Sequence, residues 1–182
     1  NSYETVAIGN QVWMAENLNV MHYRDGTEIS HVPVDTNWAK TMSGAYCFYD
    51  NNSSNGDTYG ALYNWYAVAD SRNLAPEGWH VPTDAEWKEL EMALGMSQSQ
   101  ADEKDFRGTN EGSKLAGNAA LWTSTDKLKN DPEFGLSWFN ALPASRRMGQ
   151  DPYGYLGSFA YFWTTTEYDS YQAWNRSLSW AF

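Results

Sequence analysis

Cysteine occurs once in the chain, at Cys47, and histidine only three times, at His22, His31 and His80. With no second thiol and scattered imidazoles, no zinc-ligand spacing can be drawn. A lone cysteine is open to four readings: a catalytic thiolate, a metal ligand, a buried free thiol, or half of a disulfide whose partner is absent. On composition alone the buried thiol is the default. Basic residues are also scarce, 12 Lys and Arg against 23 Asp and Glu, for a formal charge of −11. Nucleic acids and anionic membrane surfaces both select clustered Lys and Arg, so neither is an expected partner. No apolar run approaches the ~20 residues a spanning helix needs, so membrane insertion is not expected. Asn1 opens no signal-peptide pattern, which makes the start either a mature, cut end or that of a cytosolic chain. There is no Ser-centred nucleophile elbow, phosphate loop or metal-binding His pair. Carboxylate pairs for glycoside hydrolysis can be drawn in many ways among 23 acidic residues, and the sequence gives none of them a spacing in space. The expectation is a domain that is not an enzyme, with no cofactor and no metal.

What the chain has in excess is aromatic surface: 10 Trp, 12 Tyr and 7 Phe among 182 residues. Large rigid rings fill a loop-rich core with few residues and, where exposed, make contact surfaces. At 42% hydrophobic and 19% charged the composition is globular, and the length suits one domain spanning residues 1–182. With 14 Gly and 6 Pro, much turn and loop is expected.

Thr5–Trp13 reads as a hairpin closed by Gly9-Asn10, a pair that accepts positive φ. Residues 19–45 lack periodicity, and Ala45–Tyr49 is a short β-like run closed by a polar turn, Asp50–Asp57. A first helix is expected over Tyr59–Ala69, with Leu62, Trp65, Tyr66 and Ala69 on one face and Asp57 or Thr58 as its cap. The clearest helix follows Pro82. Thr83 and Glu86 have capping-box spacing, Trp87, Leu90 and Leu94 form the buried stripe, Lys88, Glu89 and Glu91 face water, and Gly95 ends the helix. A helical turn is expected near Gln98–Glu103, and loop over most of residues 96–156. Ser145–Gly149 is a small basic island whose arginines suit internal ion pairing. The end is β-rich: a strand Phe159–Thr165, a turn Glu167–Ser170, and a strand Gln172–Phe182. That last strand carries Trp174, Arg176, Leu178, Trp180 and Phe182 on one parity and small polar residues on the other. No repeat of 20–50 residues occurs.

Four segments together resemble the Fibrobacter succinogenes major paralogous domain, a family of exported bacterial domains. They are Val6–Leu18, Tyr59–Val68, Ala75–Trp87 with its Gly78-Trp79-His80-Val81-Pro82-Thr83 stretch, and Phe162–Glu167. The resemblance implies an α+β, C-type-lectin-like fold, with two helices beside small twisted antiparallel sheets and long irregular loops. It also implies a secreted or cell-surface location. The Pro82-Thr83-x-x-Glu86-Trp87 pattern is similar to that of formylglycine-generating enzymes too, and an exported oxidase-like or hydrolytic enzyme is the alternative it implies. Those enzymes rely on paired cysteines or a cysteine-bound copper near the C-terminal part of the domain, whereas Cys47 lies in another segment. Family members usually continue past the strand matching Trp174–Phe182 towards a later cysteine, the expected partner of Cys47. This chain is therefore expected either to lack those strands or to receive one from another chain near Phe182, as a self-assembling subunit of a surface appendage would.

Three clusters are candidate sites. Trp79, Pro82 and Trp87 read as core of the fold. Asp50, Asn52, Asn55 and Asp57 have the alternation of a calcium loop without its bidentate Glu, and read as a solvated turn. The closing segment supplies the expected ligand-binding residues: Tyr168, Asp169, Tyr171, Trp174 and Asn175. Tyr, Trp and Asn make adaptable contacts at low entropy cost, the Trp and Tyr rings can stack on sugar faces with Asn and Asp left for hydroxyls, and ligand surfaces in C-type-lectin-like folds generally lie in this region. Trp174 is the expected core member, and Tyr168 and Tyr171 the expected contacts. The predicted function is an extracellular, non-catalytic domain with a glycan or protein ligand.

Overall fold

A two-residue turn starts the fold. In the computed structural model, which describes residues 2–123, 127–149 and 153–179, β1 (Thr5–Ile8) and β2 (Gln11–Met14) pair antiparallel with Ile8 opposite Gln11. Gly9 alone of the turn pair takes positive φ, at 59°, the first-position glycine of a primed hairpin turn. The chain then runs through β3 (Ser30–His31), α1 (Asp35–Trp38) and β4 (Ala45–Cys47) to α2 (Ser53–Tyr59), β5 (Leu62–Tyr63) and α3 (Trp65–Val68). Strand β4 lies between β3, parallel to it, and β5, antiparallel. Next come α4 (Asp84–Ala93), α5 (Gln98–Ala101), α6 (Glu111–Leu115) and α7 (Lys127–Asn130). Two antiparallel pairs follow, β6 (Arg146–Arg147) with β7 (Tyr153–Gly154), and β8 (Phe159–Glu167) with β9 (Ala173–Ser179). The architecture is mixed α and β, with several small sheets, none of them closed among the described residues.

The expected helix over Tyr59–Ala69 does not form. Helix α2 ends where that one was to begin, because Gly60 turns the chain at φ 74°, and a side chain there would sit 2.8 Å from the Asn17 Cβ. Leu62 and Tyr63 then pair with β4, and a fresh cap at Asn64, whose side chain accepts from the Ala67 N–H, opens the single turn of α3. The polar stretch expected as a turn, Asp50–Asp57, is largely α2. Asn52 caps it by accepting from the Ser54 N–H, and Asn55 donates to the Tyr49 carbonyl, so half of the supposed calcium alternation is spent on local backbone. Residues 111–115, expected as loop, form α6.

Helix α4 matches its expected span. The Thr83 hydroxyl accepts from the Glu86 N–H at 3.2 Å, and the Glu86 carboxylate accepts from the Thr83 N–H at 2.7 Å. Its start is docked by a bulge in β8: the Thr165 N–H donates to the Pro82 carbonyl and the Thr166 hydroxyl accepts from the Asp84 N–H. Trp87 and Leu90 are buried as expected. Glu91, expected to face water, is instead 6% exposed. Arg107 donates to both its oxygens at 2.9 and 2.8 Å, and Arg176 from β9 donates to Oε1 at 2.7 Å. Arg176 also pairs with Asp84, which shares Lys88 with Asp102.

Two cores result. Ile8, Trp87, Leu90, Trp122, Phe139 and Leu178 anchor one, and Tyr23, Ile29, Tyr46, Phe48 and Leu74 the other. Strand β8 serves both: Ala160 belongs to the first and Phe162 packs on it, while Trp163, on the opposite face, packs on the second. In β9 the expected parity holds from Asn175 to Leu178, with Arg176 and Leu178 buried and Asn175 and Ser177 exposed, but Ser179, expected on the outward small polar face, is buried where it pairs with Phe159. Trp180 and Phe182, and with them the expected edge pairing near Phe182, lie outside the described residues.

Removing the Glu91 carboxylate would leave two guanidinium groups without their buried partner. Glu91→Ala should cost about 3–5 kcal/mol in urea unfolding, and a cycle with Arg176→Ala should show strong coupling. Additive losses would mean the pair does not join α4 to β9. At the cap, partial burial pushes the Glu86 carboxyl up, but hydrogen bonds from the Thr83 backbone, His80 and the Thr83 hydroxyl outweigh it and hold it below its ordinary value. A carboxyl depressed by folding stabilises above its unfolded pKa, and that contribution fades as pH falls through the folded value. Stability should therefore drop on acidification below about pH 4.3, with a shallower slope in Glu86→Gln. Thr83→Ala should cost about 1 kcal/mol.

Candidate functional site

Between the two cores lies a cleft of about 780 Å³, within the usual range for ligand pockets. Its walls come from β2, residues 16–18 and 59–63, the 78–82 segment, the start of α4, residues 139–148, and β8. Trp13, Tyr63, Trp79, Trp87, Tyr161 and Trp163 are among the rings that line it. Single side-chain hydrogen bonds hold these irregular segments in register. Gln11 reaches from the hairpin to the Glu86 carbonyl at 3.2 Å and the Glu89 carboxylate at 3.1 Å, and it accepts from the Trp13 indole N–H. Asn17 donates to the Tyr59 carbonyl at 2.9 Å, and Asn140 to that of Ala15 at 3.1 Å. Trp163 donates to the Tyr63 carbonyl at 2.9 Å and lies 5.6 Å from the Trp65 ring.

The floor is Trp87, packed 5.0 Å from Trp13, 5.7 Å from Phe139 and 5.5 Å from Phe162. Trp87 is 1% exposed, and its indole N–H has no hydrogen-bond partner among the described residues. A buried donor without a partner is costly, a cost that the aromatic packing around Trp87 must offset. At the rim, His80 Nε2 lies 2.7 Å from Glu86 Oε1. The other Glu86 oxygen accepts from both the backbone and the hydroxyl of Thr83. This carboxylate is therefore committed to closing a helix, and the imidazole beside it orients that cap.

On the opposite wall, Arg147 is spent internally, as expected for the basic island. It donates to the carbonyls of Val32 and Pro33 at 2.7 and 2.8 Å, pairs with Asp35 at 2.6 Å, and lies over the Trp38 and Tyr153 rings. Arg146 differs: its guanidinium lies 4.6 Å over the Tyr161 ring and has no carboxylate partner among the described residues. Cys47 is a fully buried free thiol. Burial pushes its pKa up, against the partial relief of hydrogen bonds with Arg147 and Tyr153.

The five residues expected to bind ligand fall into two places. Tyr168, Asp169, Tyr171 and Trp174 make the tip of the β8–β9 hairpin. There Tyr171 is 94% exposed, while Tyr168 stands edge-on to Trp174 at 5.0 Å and accepts from Lys104 at 2.8 Å. Asp169 accepts from the Tyr171 N–H, which fixes the turn. Trp174, expected as core, is half-buried. Asn175, paired across the sheet with Trp163, is the one of the five that borders the cleft. Conversely, Trp79, Pro82 and Trp87, read from the sequence as core alone, all line it, and Trp79 and Pro82 are only half-buried. The sequence signal for this lay in Trp79-His80, a ring outside any helical or strand stripe, and in Tyr161 and Trp163, which share a parity opposite to Phe162.

A buried thiol of raised pKa should be inert. Cys47 in the folded protein is expected to resist a maleimide reagent for hours and to label completely in denaturant, read by intact mass. Rapid labelling of the native protein would contradict the burial described above.

Compared with known proteins, residues 6–181 match the model of the Fibrobacter succinogenes major domain. No curated protein and no solved structure matches the chain. The matched segment takes in every wall of the cleft, from Gln11 to Asn175. The chain belongs to the Fibrobacter succinogenes major domain family.

Proposed function

We propose that this is a non-catalytic, extracellular or cell-surface domain of C-type-lectin-like arrangement that binds a glycan in the aromatic cleft. The observation that carries the reading is the cleft itself. It is about 780 Å³ in volume, walled by Trp13, Trp79, Tyr161 and Trp163, with the carboxamides of Asn17, Asn140 and Asn175 along it. Rings of this size offer apolar faces with polar edges, matching the apolar faces and equatorial hydroxyls of pyranoses. The non-catalytic reading is supported by the commitments of the reactive groups: Glu86 caps α4, His80 hydrogen-bonds to that cap, and Cys47 is sealed in. The helices of the described residues include none long and apolar enough to cross a membrane.

A second reading places a protein ligand at the hairpin tip, favoured by the 94% exposure of Tyr171. A glycan array followed by calorimetry tests the cleft reading, and a protein pull-down with the Tyr168→Ala and Tyr171→Ala variant tests the second. On the cleft reading, Trp79→Ala weakens a bound oligosaccharide by at least about tenfold, and Tyr168→Ala with Tyr171→Ala leaves it unchanged. The reverse pattern would move the site to the tip. If no glycan binds at all, the cleft reading fails.

A further inference from the structure

We infer that the cleft selects an oligosaccharide bearing a carboxylate, a uronic-acid glycan, with Arg146 as the residue that reads the charge. The inference rests on the glycan reading of the cleft and specifies its ligand class. The chain has six arginines. Five donate to oxygen acceptors: Arg24 to backbone carbonyls, Arg72 to Asp70, Arg107 to Glu91, Arg147 to Asp35 and carbonyls, and Arg176 to Glu91. Arg146 has no such acceptor among the described residues, and its guanidinium lies over the face of Tyr161 at 4.6 Å. In a chain where acidic residues outnumber basic ones 23 to 12, a guanidinium with no oxygen acceptor among the described residues is unusual, and this one lines the cleft.

The placement suits recognition. A guanidinium held over an aromatic ring keeps its N–H groups at its edge, where a planar carboxylate can accept two of them side by side. Tyr161 lies on the same face of β8 as Trp163, so the anchor for charge sits beside a ring surface for a sugar face. The field of the protein sets the upper limit on ligand charge. With a net charge of −11, and Glu16 also on the cleft wall, a densely charged polyanion is repelled. A few carboxylates on a carbohydrate frame carry less of that cost.

Calorimetry with α-1,4-linked trigalacturonate and with its uncharged galactose counterpart tests this on the intact chain. The acidic trisaccharide should bind at least about tenfold more tightly than the neutral one, with the difference shrinking as salt rises. Arg146→Gln should abolish the preference, whereas Lys127→Gln, a change of equal charge on α7 away from the cleft, should retain it. Equal affinity for the two sugars in the wild type, a preference that survives Arg146→Gln, or displacement of trigalacturonate by equimolar inorganic phosphate would each overturn the inference. Neutral-sugar binding without acid preference would leave the glycan reading of the cleft standing, whereas failure of both trisaccharides together with an empty glycan array would remove both.

Discussion

The Glu91 carboxylate, held between Arg107 and Arg176, is the contact on which the arrangement turns. Secondary structure here is short, and the longest helix, α4, has ten residues, so backbone ladders alone cannot relate one part of the chain to another. Arg176 joins β9 to the third turn of α4 through Glu91 and to its first turn through Asp84, while Arg107 brings in the loop after α5. Burying such a cluster is expensive unless each charge is met. Because the charges are met, the geometry is stiff: β9 fixes β8, and the β8 bulge in turn fixes the start of α4 through Pro82 and Asp84.

Elsewhere the same task falls to side chains bonding distant backbone. Asn17, Asn64, Arg24, Asn140 and Arg147 each reach carbonyls or N–H groups far along the chain. They satisfy polar groups that a loop-rich fold would otherwise bury without partners. Aromatic rings supply the remaining cohesion, since the Trp13, Trp87, Phe139 and Phe162 group fills the space between elements that barely pair. A wide cleft is compatible with this construction because its walls are pinned from behind.

The sequence made the local features legible. The Thr83/Glu86 capping box, the Gly9 turn and the alternation at Arg176 and Leu178 are all set by residues within a few positions of one another. Where it misled, the deciding contact was distant. Leu62, Trp65, Tyr66 and Ala69 have helical spacing, but the approach of Asn17 to Gly60 and the pairing of Leu62 with Cys47 break the segment into three pieces. Glu91 looks solvent-facing until partners 16 and 85 residues away are brought to it. The cleft was hidden for the same reason. Its rings come from segments far apart in the chain, and hydrophobicity does not say whether a tryptophan closes a core or borders an opening. Asn175, named for its residue type in the closing segment, borders the cleft because of its place in β9, whereas the isolation of Arg146 shows only against the partners of the other arginines.

Strand β8 separates two kinds of evolutionary freedom. Ala160, Phe162 and Thr164 face the packed interior, while Tyr161 on the alternate positions faces the opening, across from Ser177 on the exposed side of β9. Substitutions at Tyr161, Arg146 or Asn175 therefore leave the charged lock and the aromatic floor intact. A duplicated copy of such a domain can drift at these positions and reshape the cleft surface while keeping the buried ion pairs of Glu91 and the packing around Trp87. An insertion of a single residue in the strand, by contrast, would exchange inside for outside and forfeit both at once.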